Sequence, residues 1–95
     1  MTPQQASVAA EKICLLAPVV PVLVIDDAST AALLAEALIA GGLPALEVTL
    51  RTPAALDAIR EMAAVPGGVV GAGTLLTPKD VENAKAAGAT FGVSP

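Results

Sequence analysis

Apolar and polar positions alternate without a break through Leu46-Glu-Val-Thr-Leu-Arg-Thr52, which predicts a strand. Leu46, Val48 and Leu50 then face one side, and Glu47, Thr49 and Arg51 the other. Three further short apolar runs bounded by Gly or Pro read as strands: 19–25 "VVPVLVI", 68–73 "GVVGAG" and 90–94 "TFGVS", with 45–50 "ALEVTL" as the second of four. Between them lie longer segments such as "ASTAALLAEALIA", which read as helices.

The punctuation is periodic. Thr2-Pro3, Thr52-Pro53 and Thr77-Pro78 each read as a helix start. The Thr accepts a bond from an unpaired amide, and Pro in the first turn has no amide to leave unpaired. Gln5 and Asp80 stand three residues after their Thr, where a side chain reaches back as in a capping box. Asp27 completes a series of proposed caps at 2, 27, 52 and 77, each 25 residues from the last. Gly41-Gly42, Gly67-Gly68 and Gly88 follow the second, third and fourth helical segments as stops.

The resulting order is α-β-α-β-α-β-α-β. Strands alternating with helices imply parallel pairing through right-handed crossovers. Two architectures fit: an open doubly wound sheet, and a (β/α)8 TIM barrel, where eight units of 25 residues would give about 200, the low end of that fold. Because the sequence stops at Pro95 directly after the fourth strand, residues 1–95 read as a partial (β/α)8 domain, about the N-terminal half of the barrel.

That frame gives the polar strand face a role. In a barrel Leu46, Val48 and Leu50 meet the helices and Glu47, Thr49 and Arg51 point inward, where bulky apolar groups are the rule. An interior carboxylate is paired, solvated or protonated. Active sites of such barrels lie at the C-terminal ends of the strands. Arg51, Thr74 and Ser94-Pro95 end strands two, three and four, and with strands about 4.8 Å apart these ends form one rim. Glu47 lies lower in the barrel. The plainer readings are a solvated antiparallel face, or a Glu47–Arg51 ion pair serving structure alone, as in a non-catalytic relic.

Composition narrows the field. Hydrophobic residues make up 55% of the 95, so the chain packs rather than remaining disordered. The net charge of −4 comes with no basic run, which argues against a nucleic-acid partner. The longest uncharged stretch, Ile13 to Ile25, is too short to span a membrane and carries Pro18 and Pro21, and the N-terminus lacks a signal peptide's cationic opening. A soluble cytoplasmic protein is expected. Cys14 is the one cysteine, and with no His to activate it, it reads as a buried packing residue. Lys12, Lys79 and Lys85 fall on helical segments and read as surface charges.

Two motifs compete for the site. Gly71-Ala-Gly73-Thr74 begins a G-x-G-x-x-G but has Leu76 in the sixth position, so its glycines read as allowing close approach at a strand end. "VLVIDD" is similar to the start of receiver domains, in which Asp26 and Asp27 would hold Mg²⁺. That family needs an aspartate at the end of strand three, where this chain has none, and Asp27 fits a helix cap.

The stretches "PVVPVLVI", "AGGLPALEVTLRTPAALDAI", "VVGAGTLLTP" and "AGATFGVSP" resemble the N-terminal half of the 2-keto-3-deoxy-6-phosphogluconate and 4-hydroxy-2-oxoglutarate aldolase family. The resemblance runs from about Ala17 to Pro95. "LEVTLRT" sets it apart from galactonate aldolases, where Asn is expected in place of Arg51. It implies a (β/α)8 class I aldolase, a lyase of carbohydrate metabolism that releases pyruvate through a lysine Schiff base, with no metal or other cofactor. It implies that Glu47 moves protons through a water, that Arg51 and Thr74 hold the pyruvate carboxylate, and that Pro95 lines the pocket. The Schiff-base lysine on strand six and the phosphate loops after strands seven and eight would lie beyond Pro95. The partner implied is a small-molecule 2-keto acid. The full-length family is typically a homotrimer, and a half-barrel is expected to self-associate.

Overall fold

A computed structural model describes residues 1–95. The elements are α1 (Pro3–Cys14), β1 (Val22–Leu23), a 3₁₀ turn (Ala28–Thr30), α2 (Ala31–Ala40), β2 (Ala45–Thr49), α3 (Ala55–Ala63), β3 (Val69–Gly73), α4 (Pro78–Ala87) and β4 (Phe91–Gly92). The four strands form one sheet in the order β1-β2-β3-β4, every pair parallel. This is the alternation expected from the sequence.

β1 and β4 are shorter than the apolar runs that contain them. Pro18 and Pro21 cannot donate to a ladder, and each edge strand has a partner on one side only. Pairing nevertheless extends past the assigned residues. Glu47 N–H donates to the Pro21 carbonyl at 3.0 Å, Thr90 N–H to Val70 at 2.8 Å and Val93 N–H to Ala72 at 2.9 Å.

The core lies between the sheet and helices α2 to α4. Leu46 and Val48 of β2 and Val70 and Ala72 of β3 meet Ala31 and Ala35 of α2, the α3 stripe Ala55, Ala58, Ile59 and Met62, and Ala84 and Ala87 of α4. The α3 spacing of three and four residues places that stripe on one face. Alanine at so many contacts lets helix backbones approach the sheet closely.

Two capping boxes form as the sequence predicts, at Thr2 with Gln5 and at Thr77 with Asp80. Gly88 ends α4 in the left-handed region at φ 113°, which glycine adopts without a steric penalty. The other two caps differ. Asp27 accepts from the Ser29 amide and hydroxyl, at 2.9 and 2.7 Å, but caps the 3₁₀ turn, and α2 begins only at Ala31. The Ser29 hydroxyl first, and its amide second, hold the Asp27 carboxyl below its ordinary range. Thr52 is not a cap. The residue before α3 is Ala54, which supplies no side-chain bond, and the Thr52 hydroxyl instead donates to the Ile25 carbonyl at 2.5 Å. Tertiary contact with the segment that follows β1 took the hydroxyl that local spacing had assigned to the helix.

Cys14 is exposed, which corrects the expectation of a buried thiol. It sits in the last turn of α1, and α1 buries no residue at all. Packing inferred from residue type failed there because the helix as a whole lies off the core. No helix is long and apolar enough to cross a membrane.

The outer edges of β1 and β4 carry no strand partner, and Val22 and Val93 beside them are 61% and 42% exposed. Open edges flanked by apolar side chains pair with other chains. Sedimentation of the isolated chain is expected to give a mass that rises with concentration above that of one copy. A compact monomer at every concentration would contradict this.

Candidate active site

The face of β2 opposite the core carries Glu47 and Thr49, which are 9% and 3% exposed. Leu46 and Val48 take the core face, as the alternation requires. The strand stops at Thr49, so Arg51 is not on it. Leu50 and Arg51 form a turn, and Arg51 is exposed. Leu50 N–H still donates to the Gly73 carbonyl, at 2.9 Å, which ties the turn to the end of β3.

That bond brings Arg51 beside Thr74, the residue after β3. Arg51 Nε donates to Thr74 Oγ1 at 3.4 Å, a long bond. Thr74 has φ 58°, the one non-glycine residue of the chain in the left-handed region. For a β-branched residue this costs on the order of 1–3 kcal/mol, and such strain concentrates at functional sites.

Glu47, Arg51, Thr74 and Pro95 line one cavity of about 190 Å³ at the C-terminal ends of the strands, with Val22, Thr49, Val93 and Ser94 completing the wall. All four residues singled out from the sequence therefore meet in one place. Glu47 also borders a second, more apolar cavity of about 280 Å³, formed with Ala10, Ile13 and Cys14 of α1 and with Val20, Phe91 and Val93. It stands between a polar rim and an apolar interior.

The chain's salt bridges, Arg60–Asp57 and Lys79–Glu82, include neither Glu47 nor Arg51. The structural ion pair is thus not formed, and both groups are available to a third party. An arginine fork with a hydroxyl beside it suits a planar carboxylate. A largely buried carboxylate on the strand that leads to this arginine suits proton transfer.

Sequence reasoning missed the part played by Thr49. Its hydroxyl donates to the Leu23 carbonyl at 3.2 Å, so this third polar group of the inner face binds β1 to β2. It also missed Phe91, whose ring lies over Gly71. The chain's one aromatic residue, in the strand next to the glycine motif, was the available signal. Asp26 and Asp27 lie outside the cavity, with Asp27 engaged by Ser29. No group of three or more His, Cys, Asp or Glu is placed to hold a metal ion. Lys12 lies on α1, and Lys79 and Lys85 on α4, all exposed.

Comparison with known proteins gives a consistent result. A sequence profile for the family "KDPG and KHG aldolase" matches residues 10–95. The 2-dehydro-3-deoxy-phosphogluconate aldolase of Zymomonas mobilis is 62% identical over 80 residues, covering 84% of this chain and 38% of that protein. A crystal structure of the corresponding aldolase from Zymomonas mobilis ATCC 29191 superposes with a TM-score of 0.87 at 59% identity, covering 90% of this chain and 41% of that one. The Legionella pneumophila KDPG aldolase, solved with pyruvate captured as a covalent carbinolamine, superposes at 0.82 with 46% identity, over 87% of this chain and 41% of that one. The chain spans about two-fifths of the length of these relatives, and its four parallel strands with alternating helices correspond to half of a (β/α)8 barrel.

Proposed function

The chain belongs to the KDPG and KHG aldolase family, and from that premise we propose that residues 1–95, a partial barrel domain, supply the acid–base and carboxylate-binding part of a class I aldolase site. The reaction is cleavage of 2-keto-3-deoxy-6-phosphogluconate to pyruvate and glyceraldehyde 3-phosphate, of 4-hydroxy-2-oxoglutarate to pyruvate and glyoxylate, or of both. The observation that carries this reading is the convergence of Glu47, Arg51, Thr74 and Pro95 on one cavity at the strand ends.

The chemistry assigns each residue a task. Arg51 and Thr74 hold the substrate carboxylate, which fixes the neighbouring ketone. A lysine amine adds to that ketone to give a carbinolamine, which loses water to form an iminium. The Legionella relative's captured carbinolamine supports such an adduct. The C3–C4 bond then breaks as the C4 hydroxyl loses its proton. The electron pair passes to the iminium nitrogen and leaves an enamine. Protonation of the enamine carbon and hydrolysis release pyruvate. Glu47 carries these protons, through a water where it does not reach the atom directly, and Pro95 walls the pocket. No metal or cofactor enters this scheme. The amine comes from outside residues 1–95, since Lys12, Lys79 and Lys85 lie on exposed helix positions.

The test is a chimera in which this chain replaces the matching segment of the Zymomonas mobilis relative. Supplied with either keto acid, it is expected to release pyruvate at a rate comparable with the parent. A folded chimera that releases none from either would overturn the reading.

A further inference from the structure

We propose that Gly73 is a positioning residue, and that its missing side chain is the space in which the Glu47 carboxylate lies. The inference rests on the acid–base reading of Glu47 above. In the parallel ladder Glu47 stands opposite Gly71 and Thr49 opposite Gly73. The Glu47 side chain runs toward the strand end and crosses to β3 over Gly73. A Cβ built on Gly73 would overlap Glu47 Oε2 and stand 2.8 Å from its Cδ and 3.2 Å from its Cγ. The three nearest obstacles all belong to this one side chain.

The backbone does not require glycine there. Positive φ occurs at Gly42, Gly67, Gly88 and Thr74, and not at Gly73. An alanine could adopt the strand conformation, and the nearest atoms its Cβ would meet are those of Glu47. The conflicting atoms are the far end of a flexible side chain, so the fold yields little and the carboxylate yields most. The Gly-x-Gly of this sequence is therefore a shelf for two side chains, with Phe91 lying on Gly71 in the same way.

Gly73→Ala in the chimera is expected to keep its thermal midpoint and its KM for the keto acid, because Arg51 and Thr74 are untouched. Turnover is expected to fall about 100-fold, the usual effect of misplacing a reacting group by about 1 Å. In a Glu47→Gln background the same substitution should lower turnover no further, since the proton carrier is already gone. Unchanged turnover in the single variant would overturn the proposal, as would an equal extra loss in the Glu47→Gln background or a loss carried by KM. If Gly73→Ala does not fold, Gly73→Ala with Glu47→Ala must fold, and failure to do so also overturns it. A readout independent of activity separates this idea from the acid–base reading. The Glu47 carboxyl carbon resonance of the chimera should move on Gly73→Ala, and an unmoved resonance refutes the positioning role. A moved resonance, with Glu47→Gln retaining full turnover, would instead refute the acid–base role.

Discussion

On the proposed acid–base reading, Glu47→Gln in the chimera is expected to lower turnover by about 10²–10⁴-fold, the usual contribution of a positioned acid–base group, with pyruvate affinity close to the parent's. Gln keeps the shape that fits over Gly73 and removes the capacity to give and take a proton. Arg51→Ala should divide the effects the other way. The substrate carboxylate would lose a charged donor, and a hydrogen bond to a charged group contributes about 1.5–3 kcal/mol, or roughly 10–100-fold in KM. Steady-state kinetics on the two variants side by side reads both. Wild-type turnover in Glu47→Gln would remove the acid–base assignment. Unchanged KM in Arg51→Ala would remove the carboxylate clamp. The contrast follows from geometry, since Glu47 is buried on β2 and Arg51 sits on an exposed turn against Thr74.

An all-or-none result is expected when the 95-residue chain is mixed with pyruvate and reduced with borohydride. Mass measurement should find no stoichiometric, site-specific adduct. Lys12, Lys79 and Lys85 occupy exposed positions on α1 and α4 and line no part of the cavity shared by Glu47, Arg51, Thr74 and Pro95. An amine becomes a good nucleophile when a site desolvates it, and these three stand in water. Adding the remaining three-fifths of a relative's barrel as a separate fragment should restore trapping, with the adduct on that fragment, if the halves close. Rapid labelling of one of the three lysines in the isolated chain would show that the nucleophile lies within residues 1–95.

Most of the fold was legible because its signals are local. The capping boxes at Thr2 and Thr77 lie within three residues of their partners, and the alternation of Leu46 to Thr49 sorts side chains to two faces by strand geometry alone. Four helices, four strands and their parallel order follow from such signals and from the crossover rule. The reading failed where a residue had two possible partners. Thr52 has the spacing of a cap, yet its hydroxyl bonds Ile25, 27 positions away. Cys14 has the composition of a core residue, yet its helix buries nothing.

The candidate site divides in the same way. The residue types, the inward face of Glu47 and the placing of Thr74 and Pro95 at strand ends are properties of the sequence, because pleat and strand order dictate them. That Arg51 leaves the strand and leans on a left-handed Thr74, and that Glu47 lies across Gly73, depend on bonds and clearances between β2 and β3. Those residues are more than 20 positions apart, and no local preference encodes their distance. Only the parallel register, set when the sheet buries Leu46, Val48, Val70 and Ala72 against the helices, brings them together.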